Sequence, residues 1–225
     1  RGIVLRIDSP GGAVAPAQEI YNEIIKLKAD HKTVYASMGT VAASGGYYIA
    51  CAANYVLANP GTLTGSIAAV MAFSNIEELT DKIGVKPIII KSGKYKDVGS
   101  PLRGMKPEER KLLQSVVDDV HQQFVQAVAK GRGLPVSEVN EIADGRIMTG
   151  QQALTLKLVD EMGGLEKTIE LLAKKIGVEG RPKVIEEKEK TPFFDWLLQS
   201  SLPSRLAATL MPASLPRLQY VWFPQ

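Results

Sequence analysis

Cysteine is almost missing from this chain, with Cys51 alone among 225 residues. A lone thiol cannot close an internal disulfide, so packing must hold the fold, and the count says little about redox compartment. Histidine is nearly as scarce: His31 and His121 stand far apart, which leaves no ligand-spaced cluster for a metal ion. No run approaches the roughly 20 apolar residues that span a bilayer. Arg1 is followed at once by a strand-like run rather than by a signal peptide. A surplus of one charge is missing too. Twenty-seven Lys and Arg against 24 Asp and Glu leave +3, spread along the chain, which argues against a nucleic-acid partner. There is no internal repeat of solenoid length.

What is present is apolar material, 45% of the side chains, enough for one main core and a short appendage. Gly2–Ile7 is a β-branched, apolar run ending at Asp8-Ser9-Pro10-Gly11-Gly12, as a buried strand ends at a turn. A chain that opens inside a strand reads as a fragment, with an anchor expected upstream. The pattern then predicts a helix over Ala17–Leu27, with Ile20, Ile24 and Leu27 on one face. It predicts a strand over Thr33–Met38 broken by Gly39, a small-residue helix over Ala42–Ala53, and strands over Asn54–Ala58 and Thr64–Phe73. A helix over Glu77–Ile83 and a strand over Lys86–Lys91 follow. After the loop Ser92–Met105, Pro107 opens a long helix to Lys130 that Gly131 and Gly133 stop. Shorter pieces cover Ser137–Ala143, Gly150–Leu156 and Leu165–Ile176. Strands alternating with helices predict an α/β fold with a largely parallel sheet and flanking helices. The expected division is a domain over 1–186 and a C-terminal tail over 187–225, rich in Pro, Ser and Leu.

Three places can carry chemistry. In Thr40-Val41-Ala42-Ala43-Ser44-Gly45-Gly46-Tyr47-Tyr48, a strand meets a helix at a serine flanked by small residues. Such a place lets a substrate approach the hydroxyl and offers free N–H groups to an oxyanion. Alone, the segment reads equally well as a helix cap followed by a close-packed glycine pair. Gly11-Gly12 ends the first strand, where parallel sheets place ligands, although a tight turn explains it more simply. A serine needs a base. His31 and His121 read as exposed or packed, whereas Lys91, Lys94 and Lys96 leave the sheet edge together. A lysine serves when its surroundings favour the neutral amine, and a lysine cluster otherwise reads as solvated surface.

Together, Asp8-Ser9-Pro10-Gly11-Gly12, Ala43-Ser44-Gly45-Gly46-Tyr47-Tyr48, Leu63-Thr64-Gly65-Ser66-Ile67 and Gly93-Lys94-Tyr95-Lys96 resemble the signal peptide peptidase A family in order and spacing. With one copy of each motif, the chain is similar to the short single-repeat form of Gram-positive bacteria. The likeness covers Gly2 to Ile176. It implies the crotonase-like fold shared with Clp protease subunits, and a serine endopeptidase that degrades residual signal peptides and other unfolded apolar peptides. It implies Ser44 as nucleophile and Lys96 as general base, with Lys91 and Lys94 as bystanders. Ser66 would orient the lysine, and Gly11, Gly12 and Gly45 would form the oxyanion hole. No cofactor or metal is implied.

The resemblance further implies a dome-shaped homo-octamer in which serine and lysine come from neighbouring subunits. It places the catalytic domain outside the cytoplasm at the bacterial cell membrane, held by an anchor that this chain lacks. The apolar segment Ser201–Gln225 would be able to enter the peptide groove. Peptide substrates would lie along Thr64–Phe73 by β-augmentation. Two other accounts remain open at this stage: an acyl-CoA hydratase or isomerase on the same fold, and a scaffold or inhibitory partner without catalysis. Cys51 reads as packing, and Trp196 with Phe193, Phe194 and Leu197 as a subunit contact.

Overall fold

The computed structural model describes residues 2–186 and the backbone of 219–221. The expected contact at Phe193, Phe194, Trp196 and Leu197 lies outside the described residues, as does most of the expected tail. The fold is α/β with a mostly parallel sheet flanked by helices. Its centre is β3 (Thr33–Ala43), which pairs in parallel with β1 (Gly2–Ser9) on one side. On the other side, β4 (Tyr55–Ala58) runs parallel to the first half of β3 and β5 (Leu63–Gly65) to its last three residues. Two short strands complete the sheet. β6 (Ile147–Thr149) is antiparallel to β5, and β7 (Glu161–Met162) is parallel to β4.

Side chains alternate across a strand, and both faces of β3 are covered. Val34, Ala36 and Met38 enter the main core, whereas Tyr35 joins Leu57 and Leu172 in a second cluster behind the sheet. The main face is packed by α1 (Val14–Ala29), α2 (Gly45–Ala50), α4 (Pro107–Arg132) and α5 (Val136–Ile142). The chain also forms α3 (Glu77–Lys82) and α6 (Gly150–Thr155), and α7 (Leu165–Lys175) covers the rear. In α1 the buried stripe is Val14, Ala17, Tyr21 and Ile24. Ile20, expected on that face, points outward. Tyr48 bridges helices, stacking at an angle on Tyr21 of α1 and Phe124 of α4.

Five local expectations need correction. Gly39 does not break β3; instead its missing Cβ leaves room for the Asp8 carboxylate, which accepts a hydrogen bond from Val41 N at 3.0 Å. Ala42 and Ala43 are strand rather than helix, because Thr64 Oγ1 donates to Ala42 O at 2.7 Å and the two alanines pair with β5. Gly131 lies inside α4, which ends at Gly133 with φ 64°. Lys86–Lys91 forms no ladder among the described residues, and Ile88 and Ile90 are 89% and 96% exposed. A strand needs a neighbour to bond, and the described residues offer this one none. Thr64–Phe73 likewise keeps strand pairing only to Gly65, with an isolated bridge at Val70.

In a separate two-stranded sheet, β2 (Gly11–Ala13) pairs antiparallel with β8 (Gln219–Val221), in the register Gly11 to Val221 and Ala13 to Gln219. Among the described residues, no helix is long and apolar enough to cross a membrane.

Close helix packing gives the first prediction. A Cβ at Gly131 would overlap the Cys51 carbonyl oxygen, whereas one at Gly61 meets nothing. Alanine in a helix gains about 1 kcal/mol over glycine, but overpacking against backbone costs about 1–3 kcal/mol or more. Gly131→Ala should therefore lower the melting temperature, and Gly61→Ala should leave it within a degree or two.

Candidate active site

Ser44 sits between β3 and α2 with φ 53° and ψ −117°, a left-handed conformation that costs an L-residue on the order of 1–3 kcal/mol. The neighbours enforce it. Ser44 N donates to Gly65 O at 2.8 Å, continuing the β3–β5 ladder, while Tyr48 N donates to Ser44 O at 2.8 Å and begins the helix. The chain must change direction within one residue to satisfy both. Gly46 permits the turn, because a Cβ there would lie 2.9 Å from Ser9 O. Ser44 is 1% exposed, and among the described residues its Oγ has no hydrogen-bond partner. A buried hydroxyl without a partner is costly, so its retention calls for an explanation.

The other expected residues divide into two groups. Ser9 to Gly12 lie against α2, as the approach of Ser9 O to Gly46 requires. Gly11 has φ 116°, and its N–H donates to Ser9 Oγ at 3.1 Å, an engagement that any oxyanion contact would have to replace. Gly45 is buried in the first turn of α2. Ser66 follows β5 as Ser44 follows β3, with φ 52° and its N–H on Arg146 O at 2.8 Å. Since Ala43 pairs with Gly65, the two serines leave adjacent strands side by side.

Lys96 belongs to the second group. It is exposed, its N–H donates to Gly93 O at 3.1 Å, and it makes no hydrogen bond to Ser44 Oγ. Its loop is nonetheless ordered by charge. Arg103 bonds Asp97 at 2.8 Å and Glu109 at 2.6 Å, Lys91 Nζ reaches the other Asp97 oxygen, and Lys94 lies 3.9 Å from Glu108. The guanidinium and the Lys106 N–H hold the Glu109 carboxyl down to about 2, and Arg103 with Lys91 holds that of Asp97 well below its ordinary range.

Other nucleophiles and bases are less well placed. Burial pushes the Cys51 thiol up to about 12, and its Sγ faces Tyr48 O at 3.1 Å. His31 is exposed at a turn with φ 58°, and His121 lies on α4. No group of three His, Cys, Asp or Glu among the described residues is arranged to hold a metal ion. Sequence patterns missed Asp8 as a tether of β3 and Arg103 as the hub of the lysine loop. A glutamate at the third position of a proline-started helix was the available signal for Glu109.

The family model for peptidase family S49 matches residues 26–179, more than half of the chain. A Synechocystis sp. relative with a provisional protease name is 51% identical over 161 residues, 72% of this chain and 58% of that protein. A chloroplastic serine protease, SPPA, of Arabidopsis thaliana is 40% identical over 185 residues, 82% of this chain and 27% of that protein. An Enterococcus faecium protein provisionally named signal peptide peptidase SppA is 38% identical over 199 residues, 88% and 58% of the two chains. The chain thus spans less than two thirds of each of these relatives.

Two predictions follow from the geometry. Ser44→Gly and Ser44→Ala both remove the buried hydroxyl, but only glycine adopts φ 53° without strain. Ser44→Gly should be the more stable of the two by about 1 kcal/mol in chemical denaturation. Second, Glu109 titrates lower in the folded chain, about 2 against an ordinary 4.5, so its contribution is present above the ordinary value and lost as pH falls toward 2. The gap in melting temperature between the native protein and Glu109→Gln should therefore narrow as pH falls through that window.

Proposed function

Because the chain belongs to peptidase family S49, the family of signal peptide peptidase A, we propose that it is a serine endopeptidase with a Ser44 and Lys96 dyad. The observation that carries this reading is the Ser44 hydroxyl, buried without a partner among the described residues on a strained turn between strand and helix. A neutral Lys96 amine takes the Oγ proton as Oγ attacks the scissile carbonyl. The oxyanion is met by backbone N–H groups of Gly45 and of Gly11 or Gly12. The protonated amine then gives its proton to the leaving peptide nitrogen, and a water activated by the same amine hydrolyses the acyl-enzyme. Ser66, beside Ser44, orients the amine.

A second copy of the chain supplies Lys96 in this reading. Support comes from the segment that bears it: Lys96 is exposed and joined to the exposed stretch Ile88–Ile90, which is unpaired among the described residues and gains a partner when copies assemble as a homo-oligomeric dome, an octamer in our reading. The proposed substrates are residual signal peptides and other unfolded apolar peptides at a bacterial membrane, with the domain outside the cytoplasm. An extended peptide suits the site, because the β2 edge beside Ser44 bonds an antiparallel strand, β8 of the chain's own C-terminal segment. That segment therefore competes with substrate.

Ser44→Ala and Lys96→Ala should each lower cleavage of a fluorogenic peptide by on the order of a thousandfold or more while leaving the oligomer intact by light scattering. Cleavage by the native protein should rise toward alkaline pH. Mixing the two inactive variants as reassembled oligomers should restore cleavage, and truncation after Glu189 should raise turnover or leave it unchanged. Full activity in either point variant refutes the dyad.

A further inference from the structure

Arg103 uses every donor it has. Its Nε donates to Asp97 Oδ2 at 2.8 Å, Nη1 to Gly104 O at 2.9 Å and Glu109 Oε2 at 2.8 Å, and Nη2 to Asp97 O at 3.1 Å and Glu109 Oε1 at 2.6 Å. Five donors in a rigid planar fork meet five acceptors, a set that the three donors of a lysine cannot reproduce. One end of this clamp is Glu109, 1% exposed in the first turn of α4, where it also accepts from Lys106 N at 3.0 Å. The other end is Asp97, the residue directly after Lys96, held through both its carboxylate and its backbone carbonyl. An isolated surface ion pair contributes little. This one joins two carboxylates, two carbonyls and a helix start in one network, and it lies outside the surroundings of Ser44.

We propose that Arg103 is a positioning residue for Lys96: by clamping Asp97 to Glu109 it fixes where the lysine amine is presented and offsets the negative charge beside it. This inference rests on the reading of Lys96 as the base. The charged groups around the loop are Lys91, Lys94, Asp97 and Arg103 within it and Lys106, Glu108 and Glu109 at the start of α4. Glu77 of α3 completes the set, its Oε2 accepting from Gly104 N at 2.6 Å. Arg103 and Lys91 together balance Asp97 and Glu109. Without Arg103, the loop that carries Lys96 keeps the Asp97 and Glu109 carboxylates with one fewer cation, which favours a protonated amine. Without the Asp97 charge, the bias reverses. Presentation and charge are thus separable, since Arg103→Lys keeps the charge but forfeits the fork.

The test is the pH dependence of kcat/KM for a fluorogenic peptide, measured on the full chain. Arg103→Gln should move the alkaline rise to higher pH, and Asp97→Asn should move it to lower pH, each by roughly half a unit for one charge seen through a largely aqueous path. Arg103→Lys should leave the rise in place and lower kcat about tenfold or more, with little change in KM. A structural role alone would lower stability in all three without opposed shifts. Coincident or same-direction shifts overturn the proposal, as does full kcat in Arg103→Lys. If Arg103→Gln does not fold, Asp97→Asn and Arg103→Lys carry the test alone. Lys96→Ala, run alongside, keeps two failures apart. Full activity there overturns the assignment of the base itself, whereas an inactive Lys96→Ala beside unshifted profiles overturns only the role of Arg103.

Discussion

Two backbone hydrogen bonds at Ser44 pull in different directions, one toward Gly65 and the sheet, the other from Tyr48 and the helix. A single residue must serve both, and the left-handed turn is the result. Most of the surrounding structure can be understood as holding that turn closed. Asp8 tethers Val41, Thr62 Oγ1 donates to Gly39 O at 2.8 Å, and Thr64 Oγ1 donates to Ala42 O, so the end of β3 is fixed by side chains from both flanking strands. Behind α2, Tyr47 is fully buried with its hydroxyl on Leu158 O at 2.9 Å, and Gly131 lets α4 press against Cys51 O. Arg132, ion-paired with Asp160 at 2.6 Å, secures the end of α4 to the approach of β7. Strain at one residue persists because the framework around it is over-determined.

The lysine loop follows the opposite principle. It has little apolar burial, and charge holds it instead: Arg103, Asp97, Glu109 and Lys91 form a nearly neutral assembly. Such an arrangement can stay rigid while its tip remains exposed. The charge network therefore lets the loop keep its shape with little help from an apolar core.

Much of this was legible in the residues themselves. Ser44, Gly45 and Gly46 announce a close approach by their size, and the strand-then-helix alternation from Gly2 to Ala58 predicts the parallel sheet. Legibility failed where a tertiary contact overruled a local habit. Gly39 looks like a breaker, yet its bare backbone is the space that Asp8 occupies. Ala42 and Ala43 have high helix propensity, yet pairing with β5 makes them strand. Lys86–Lys91 has the composition of a strand but no neighbour among the described residues. The Arg103 network could not be read in advance, because its five acceptors are brought together only when the loop closes on α4.

The bare isoleucine stretch has a bearing on handling and biogenesis. A run of exposed β-branched side chains, with no strand pairing among the described residues, is the kind of template on which chains stack into aggregates. Here it is bracketed by Lys86 and Lys91, and charged brackets of this sort make stacking of identical chains repulsive. The two ammonium groups therefore act as gatekeepers, discouraging identical strips from piling up in register.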